Sequence, residues 1–386
     1  MGKADNPISK VVSSHRPDLE QDYVPLYKHF HAHPELSHQE KETAAKIAEH
    51  LKQTCPDVVL HTGIGGHGLA GVLENGSGPT VLLRADIDGL PVEEKTGLAW
   101  ASKKRMVDLE GVEKPTMHAC GHDIHITSLL AAASLLYKSR DAWSGTLIFC
   151  FQPAEEKGQG AQAMVDDGLY DKVPVPDIVL GGHVMPMRAG TLGTKRGLMA
   201  SSADSLKVTL YGKGGHASQP HRLVDPVVMA ASTVMRLQTI VSREVDPADS
   251  AVVTCACIIA GDTENVVADN ATLKLDLRAV NAETRSKGLS SVKRIVNAES
   301  MASGAVQDPT FETTRNFPLT VNDDEVTQRL EESFSGHFGT DEDSYTSSAA
   351  KLGGSEDFGI LGKFELTKFS SLAYSATYVL LKELTI

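Results

Sequence analysis

The stretch from His118 to His125, which reads His-Ala-Cys-Gly-His-Asp-Ile-His, holds the densest group of reactive side chains in the chain. Five of its eight residues (three His, one Cys and one Asp) can bind a metal ion or transfer a proton. The apolar run 126–136 follows directly, which predicts that these side chains lie on a short turn at the start of a helix. Because burying so many polar groups is costly unless they bind something, the stretch indicates a bound ion and therefore an enzyme.

Two further polar clusters could complete a metal site with Cys120 and His122. Glu155 and Glu156 follow one apolar run, and His183 follows another. Thiolate, imidazole and carboxylate together suit zinc or a similar divalent ion. Neighbouring residues on an extended segment point to opposite sides, so one glutamate could bind metal while the other acts as a general base. Each cluster alone has an ordinary alternative, because paired glutamates are common on surfaces and a lone buried cysteine is usually a small apolar residue.

The elements that would position these residues are short apolar strands that end at polar side chains. We assign strands to the runs 80–85, 145–151 and 176–183, and Asp86 and Asp88 follow the first of them. In open α/β sheets the site lies outside the carboxyl ends of the strands. Strands and helices alternate here, so the sequence predicts an α/β fold, with a mostly parallel mixed sheet covered by helices on both faces.

The chain before these strands is predicted to be helical. Residues 18–54 contain apolar positions at helical spacing, among them Ala44, Ile47 and Leu51, and Asp18 is a suitable N-cap.

The sequence pattern changes near residue 200. The run 205–211 alternates apolar and polar residues as a half-buried strand does, and the elements that follow have a β-α-β-β-α order. This order predicts a smaller α+β domain inserted into the first. We expect a discontinuous catalytic domain, formed by residues 1–198 and 313–386, and an inserted domain formed by residues 199–312.

A glycine-rich segment in the inserted domain, residues 212–221, joins a strand to a helix. Its glycines would let the backbone approach a ligand closely. His216 in this segment could donate a hydrogen bond to an oxyanion that develops during a reaction. A plain turn is the alternative interpretation.

Two other groups favour structural roles. His29, His31 and His33 form a dense run that is consistent with the solvated end of a helix. Cys255 and Cys257 are two residues apart on a predicted strand, so they share one face and fit core packing better than metal binding.

Composition narrows the class of protein. The 386 residues carry a formal charge of −13, which argues against a nucleic-acid partner. Five cysteines, an odd number in a long chain, do not indicate a disulfide framework. The N-terminus lacks the apolar core of a signal peptide, and no apolar run is long enough to span a bilayer. We therefore expect a soluble, cytoplasmic protein without a membrane partner.

Taken together, these motifs resemble the M20 family of metallopeptidases, and most closely its amidohydrolase branch of indole-acetyl-amino-acid hydrolases, hippurate hydrolases and aminoacylases. The resemblance covers roughly residues 20–362. Seven motifs occur in the order of the family: HAHPELS (31–37), LLRADIDGLP (82–91), MHACGHDIH (117–125), FQPAEE (151–156), GGHV (181–184), GKGGHASQPH (212–221) and GSEDF (354–358).

The resemblance implies a catalytic α/β domain with two divalent metal ions per subunit, zinc or manganese, with cobalt as an alternative. It also implies an inserted lid domain through which two copies form a homodimer. By resemblance, Cys120 bridges the two ions, and His122, Glu156 and His183 are further ligands. Glu155 resembles the general base.

The resemblance extends to residues around the metal ions and to the substrate. Asp86 and Asp88 would orient the ligands. His216 would assist at the substrate carbonyl, and Asn265 and Arg278 would contact the substrate carboxylate. The implied reaction is hydrolysis of the amide bond of an N-acyl amino acid or a similar small amide, which gives a carboxylic acid and an amino acid.

The sequence departs from the family at its C-terminal end. Members of the family carry a further metal-binding histidine after the Ser-Glu-Asp-Phe motif, whereas the last histidine here, His337, precedes that motif. From about Lys363 the tail no longer resembles the family, and the last strand and helix are expected to be lost or altered. One alternative is therefore an inactive or impaired M20-like protein. Another is a thiol hydrolase in which Cys120 attacks the substrate with His122 or His125 as its base.

Overall fold

The computed structural model describes residues 7–186, 188–339, 344–352, 354–362 and 372–377. They divide into two compact units. The first contains the described residues of Met1–Met199, of Thr320–Lys351 and from Asp357 onward, and the second contains Ala200–Leu319 and the described residues of Leu352–Glu356. The predicted return to the first domain, between residues 312 and 313, falls inside a strand of the second unit, Gln307–Phe317.

The helices among the described residues are α1 (Pro7–Asp18), α2 (Val24–Ala32), α3 (Lys41–Thr54), α4 (His122–Lys138), α5 (Gly160–Asp166), α6 (Leu169–Lys172), α7 (Pro226–Thr239), α8 (Ala282–Ala302) and α9 (Asp324–Phe338). The strands are β1 (Val59–Ile64), β2 (Gly68–Asn75), β3 (Thr80–Asp86), β4 (Arg105–Val107), β5 (Glu113–Pro115), β6 (Gly145–Gln152), β7 (Ile178–Gly182), β8 (Leu192–Gly193), β9 (Gly197–Ala200), β10 (Ser202–Tyr211), β11 (Gly215–His216), β12 (Ala251–Ile259), β13 (Val266–Val267), β14 (Asn270–Ala279), β15 (Gln307–Phe317), β16 (Thr320–Asn322), β17 (Tyr345–Thr346) and β18 (Leu372–Thr377).

An eight-stranded mixed sheet forms the centre of the first unit, in the order β1-β2-β6-β3-β7-β18-β8-β17. Its central strands β6, β3, β7 and β18 are parallel to one another. The register pairs Asp86 with Gln152 and Arg84 with Gly181, so β3, β6 and β7 present their carboxyl ends at one edge. The predicted fold, a mixed α/β arrangement with a mostly parallel central sheet, is confirmed.

Helices cover this sheet because its strands are apolar on both sides. Phe30 of α2, Ile47 of α3 and Leu130 of α4 pack with Phe149 of β6 in one buried core. Cys150, the next residue of β6, points to the other face and is also fully buried, and α5 contacts β6. Burying a large apolar side chain of this kind stabilises the fold by about 1.5–3 kcal/mol. This packing fixes the positions of the strands whose ends carry the polar residues.

The prediction of a single helix over residues 18–54 is wrong. Asp18 lies within a continuous helical run, because a π-helical turn (Leu19–Tyr23) joins α1 to α2, and its side chain makes no capping hydrogen bond. The segment from His33 to Glu40 separates α2 from α3. Pro34 explains the break, because proline disfavours helical geometry in the residue before it, and His33 has φ −128° and ψ 46°. The segment instead bridges Leu36 to Gly89, next to the end of β3.

The second unit is a four-stranded antiparallel sheet, in the order β12-β14-β10-β15, that packs against α7 and α8. Asp225 caps α7 by accepting the backbone N–H of Val227, and Asn281 caps α8 in the same way. Cys255 and Cys257 lie half-buried on β12 with a register shift between them, so the strict alternation that placed them on one face is broken.

The tail is described only in part. Leu372–Thr377 form β18, which is parallel to β7 and antiparallel to β8, so a strand occupies the place where the sequence suggested a lost or altered one. The rest of the tail from Lys363 lies outside the described residues. Among the residues that the structure describes, no helix combines the length and apolar character needed to cross a membrane. The cytoplasmic location stays a prediction.

Candidate metal centre

The polar residues singled out in the sequence follow the carboxyl ends of neighbouring strands. Asp86 ends β3, Glu155 and Glu156 lie in the turn after β6, and His183 follows β7. His122 is the first residue of α4, which begins after a glycine with φ 83°. Since these strand ends share one edge of the sheet, four segments that are distant in sequence converge there.

Potential metal ligands approach one another closely at this edge. The Sγ of Cys120 is 3.3 Å from the Nε2 of His183. The Nε2 of His122 is 3.9 Å from the Oε2 of Glu155 and 3.8 Å from the Oε1 of Glu156. Ligand atoms in two sets lie within 4.8 Å of one another, Cys120 with His122 and His183, and His122 with Glu155 and Glu156. The structure thus brings together all four predicted ligands and the predicted base.

His122 is held in the form that a metal ligand needs. Its Nδ1 donates a hydrogen bond to the backbone oxygen of Asp88 at 2.9 Å, which leaves the lone pair of Nε2 for a metal ion. The side chain is fully buried, and Nε2 has no hydrogen-bond partner among the described residues. A buried nitrogen without a partner is costly, so this observation fits a bound cation.

The protonation of His122 is coupled to Asp86. Burial alone would lower the pKa of His122, but the carboxylate of Asp86 raises it well above its ordinary value. A metal ion at Nε2 would therefore compete with a proton for this nitrogen.

Asp86 is the centre of a buried charge network. It accepts a hydrogen bond from Nη1 of Arg84 at 2.6 Å, and its other oxygen lies 2.5 Å from Nδ1 of His125. The backbone N–H of Val184 donates to Nε2 of His125 at 2.9 Å, so Nδ1 of that ring carries the proton and donates to Asp86. Both ring nitrogens of His125 are thus engaged, which makes it a residue that orients Asp86 and argues against a role as a base.

Asp88 connects the turn after β6 to the segment before α3. Its Oδ2 accepts hydrogen bonds from the hydroxyl of Ser37 at 2.7 Å and from the backbone N–H of Glu156 at 3.1 Å. Its backbone oxygen accepts from His118 as well as from His122. Asp88 therefore helps to fix both Glu156 and His122 in place.

The thiol of Cys120 is poorly suited to nucleophilic attack on its own. Burial raises its pKa above the ordinary value, although the neighbouring imidazole of His122 acts in the opposite direction. A nucleophilic cysteine needs its thiolate form. The side chain fits a metal ligand better than the nucleophile of a thiol hydrolase.

His31 was interpreted as part of a solvated helix end, and the structure places it elsewhere. It is buried, with Nδ1 2.7 Å from Asp123 and Nε2 3.0 Å from Glu94. Burial alone would lower the pKa of His31, but hydrogen bonds to the two carboxylates raise it to about 9. The charged imidazole ties the start of α4 to two other segments of the first unit.

The remaining predicted site residues belong to the second unit. His216 in β11 pairs with Val266 in β13, and the backbone N–H of Ala217 donates to the oxygen of Asn265. His216 and Asn265 therefore lie close together. Arg278 lies on β14, where its Nε donates to Asp276 of the same strand.

The fold and the site together define a class of enzyme, since an α/β unit that gathers thiol, imidazole and carboxylate groups at the carboxyl ends of its parallel strands is suited to metal-dependent hydrolysis. Residues 82–372 match peptidase family M20/M25/M40, and the chain belongs to this family.

Relatives of the chain act on small amides. It is 37% identical over 359 residues to the hippurate hydrolase of Campylobacter jejuni, an alignment that covers 92% of this chain and 88% of that protein. It is 41% identical over 273 residues to the N-acetyl-L-cysteine deacetylase of Bacillus subtilis, which covers 70% of this chain and 62% of that protein. A solved dinuclear metal-binding peptidase of the M20 family from Bacillus subtilis superposes with a TM-score of 0.71 at 28% identity, over 93% of this chain and 89% of that one.

Proposed function

We propose that this protein is a metal-dependent amidohydrolase that cleaves N-acyl amino acids to a carboxylic acid and an amino acid. The observation that carries the proposal is the pair Glu155 and Glu156 beside Nε2 of His122, with the thiol of Cys120 next to His183. Within a family of peptidases, one glutamate of such a pair can bind metal while the other moves a proton. The names of the hippurate hydrolase and deacetylase relatives support the class of substrate.

Two divalent ions would be held by Cys120, His122, Glu156 and His183. The donor set of one thiolate, two imidazoles and a carboxylate suits zinc, and manganese or cobalt are the alternatives. The buried Nε2 of His122, which lacks a hydrogen-bond partner among the described residues, fits this assignment. When bound, such ions supply Lewis acidity toward the amide carbonyl and toward water.

The chain's own residues would handle the protons. Glu155, which is 5% exposed, would take a proton from the attacking water on its carboxylate and return it to the nitrogen of the leaving amino acid. Asp86 and Asp88 would orient the ligands. Asp86 is itself held by Arg84 and His125, and the carbonyl of Asp88 fixes His122.

The second unit would supply substrate contacts. His216 would donate a hydrogen bond to the carbonyl oxygen of the substrate, and Asn265 and Arg278 would contact its carboxylate. In this proposal the first unit is the catalytic domain and the second unit is the lid.

Two copies of the chain would associate through the second unit. Its edge strand β12 exposes Ile258 and Ile259, which are 52% and 58% exposed, and α7 exposes Val228 and Met235 at 64% and 72%. Apolar side chains along an unpaired edge favour a partner over solvent. Light scattering should give the mass of a dimer for the wild type and of a monomer for Ile258→Glu.

The test of the activity is hydrolysis of a panel of N-acyl amino acids that includes hippurate, N-acetylcysteine and indole-acetyl-amino acids. We expect turnover that a chelator abolishes and that added Zn²⁺ or Mn²⁺ restores. Glu155→Gln should lower kcat by about 10²–10⁴-fold, the usual contribution of a general base, while the metal content stays unchanged. Glu110→Gln, on an exposed turn, is the matched control and should remain active.

Each failure of this test has a distinct meaning. Activity that resists the chelator and is lost on alkylation would point to the thiol of Cys120 as nucleophile. Metal bound without turnover of any substrate would support the inactive relative that the missing C-terminal histidine suggested. Full activity in Glu155→Gln would remove Glu155 as the base.

A further inference from the structure

Two left-handed turns of the first unit share one side chain. Among the described residues, His38 (φ 68°) and Ala154 (φ 49°) are the non-glycine residues with positive φ. The backbone N–H of each donates to the same atom, Oε1 of Glu40, at 2.9 Å from His38 and 2.8 Å from Ala154. Residues with a β-carbon rarely adopt this conformation, and they keep it only where the surroundings hold it.

The two backbone N–H groups are the hydrogen-bond donors to the Glu40 carboxylate among the described residues. The residue is fully buried, and its Oε2 has no hydrogen-bond partner in the described part of the chain. Glu40 precedes α3 at the N-cap, but its side chain makes no capping hydrogen bond to that helix. The carboxylate is therefore directed away from the helix that it precedes and toward the two turns.

The turn that Glu40 holds contains the proposed catalytic glutamate. Ala154 directly precedes Glu155, and the backbone oxygen of Ala154 accepts from the N–H of Gly160 at 3.2 Å. A second link joins the two turns, because Nε2 of His38 lies 2.8 Å from Oε1 of Gln159. The direction that the backbone takes after β6, and with it the position of Glu155, thus depends on the left-handed geometry of Ala154.

We propose that Glu40 is a positioning residue for the reaction, because its Oε1 holds Ala154 in the left-handed conformation that aims Glu155 and Glu156 at the metal centre. This inference rests on the proposed role of Glu155 as the general base. Glu40 touches neither substrate nor ligand, and it acts through the backbone of Ala154. Without it the strained residue relaxes, and the carboxylates that follow it move with the backbone.

The proposal predicts which substitutions at the two positions compensate each other. Glu40→Gln keeps an oxygen that accepts both N–H groups and should retain most of the activity. Glu40→Ala removes the acceptor and should lower kcat by about 10- to 100-fold with little change in KM, as expected for misplaced catalytic groups. Ala154→Gly should be nearly neutral alone and should restore much of the lost kcat in Glu40→Ala, because glycine adopts positive φ without strain. Glu42→Ala, on the exposed side of α3, is the control.

A second measurement tests the hydrogen bond between the Ala154 amide and Glu40 without any enzyme turnover. In the metal-free protein, hydrogen exchange of the Ala154 amide should be slow in the wild type and in Glu40→Gln and much faster in Glu40→Ala. This comparison needs a folded variant, so thermal unfolding is followed first. If Glu40→Ala does not fold, Ala154→Val replaces it, since a β-branched residue opposes the left-handed conformation and should lower kcat in the same way.

The outcomes separate this inference from the proposed function. If the wild type is active and Glu155→Gln is inactive, normal kcat and a protected Ala154 amide in Glu40→Ala would overturn the role of Glu40. A loss of kcat that Ala154→Gly fails to restore would also overturn it, since the loss would not pass through the left-handed turn. If the wild type hydrolyses none of the substrates, the base assignment fails, and the exchange experiment still decides whether Glu40 holds the turn.

Discussion

Arg84 is the cation on which the buried carboxylates behind the metal centre depend. Its side chain is 2% exposed, and it pairs with Asp86 at 2.6 Å and with Asp357 at 3.3 Å. Arg84→Met keeps the length of the apolar stem and removes the positive charge that faces two buried carboxylates. Breaking a buried ion pair in this way costs about 3–5 kcal/mol, so we expect a loss of that size in the free energy of unfolding.

The pH dependence of this loss follows from Asp86. Burial raises the pKa of Asp86, but the guanidinium of Arg84 and the nearby His122 hold it well below its ordinary value. A carboxyl group with a depressed pKa contributes stability above its ordinary pKa and loses that contribution as the pH falls. The difference between the wild type and Arg84→Met should therefore be largest near neutral pH and should shrink below about pH 4.

The assay is urea unfolding of chelator-treated protein, followed by tryptophan fluorescence. Both tryptophans, Trp100 and Trp143, belong to the first unit, so the signal reports that unit. Arg105→Met is the control, because its partner Glu113 and its own side chain are 62% and 52% exposed, and an exposed pair contributes at most about 1 kcal/mol. A loss below about 1 kcal/mol in Arg84→Met, or a loss that does not change with pH, would refute the reasoning.

Three further outcomes follow from the same unit. Gly121→Ala should sharply reduce metal affinity, measured by calorimetry, because Gly121 has φ 83° and a β-carbon there would lie 2.3 Å from Cγ2 of Val184; unchanged affinity would contradict the close approach. His31→Ala should lower the free energy of unfolding of the metal-free protein most below about pH 6.5. This difference should shrink as the pH rises through about 9, because the imidazole of His31 then loses its proton and its stabilising charge. A difference that grows from pH 6 to pH 10 would show that the contacts of His31 with Asp123 and Glu94 are not those of an imidazolium. Adding Zn²⁺ at 100 times its dissociation constant should raise the free energy of unfolding by about 2.7 kcal/mol, and an unchanged urea midpoint would mean that the folded state does not bind the ion preferentially.

The convergence of the candidate site could be predicted because it follows from topology. Cys120, His122, Glu155 and His183 each stand next to the carboxyl end of an apolar strand or at the start of the following helix, and parallel strands bring those ends to one edge. The alternation of apolar strands and helices indicated the fold for the same reason. Strand ends are visible in a sequence because the change from apolar to polar residues is abrupt.

What the sequence did not reveal are contacts that run through the backbone. The amide of Val184 fixes the ring of His125, the carbonyl of Asp88 fixes His122, and the amide of Ala154 meets Glu40. Every residue carries these amide and carbonyl groups, so no residue type marks where they are used. The break between α2 and α3 was missed although Pro34 marks it, because the apolar spacing of the flanking segments was given more weight than the proline.

The placement of β18 has a consequence for how the chain is made. Leu372–Thr377 lie between β7 and β8 in the sheet, although more than 170 residues separate them from those strands along the chain. During synthesis, β7 and β8 emerge from the ribosome first, and the edges that pair with β18 stay unpaired until β18 has emerged. Synthesis at about 5–20 residues per second would keep those edges open for roughly 10–40 seconds, a period in which chaperones or premature aggregation would compete for the nascent chain.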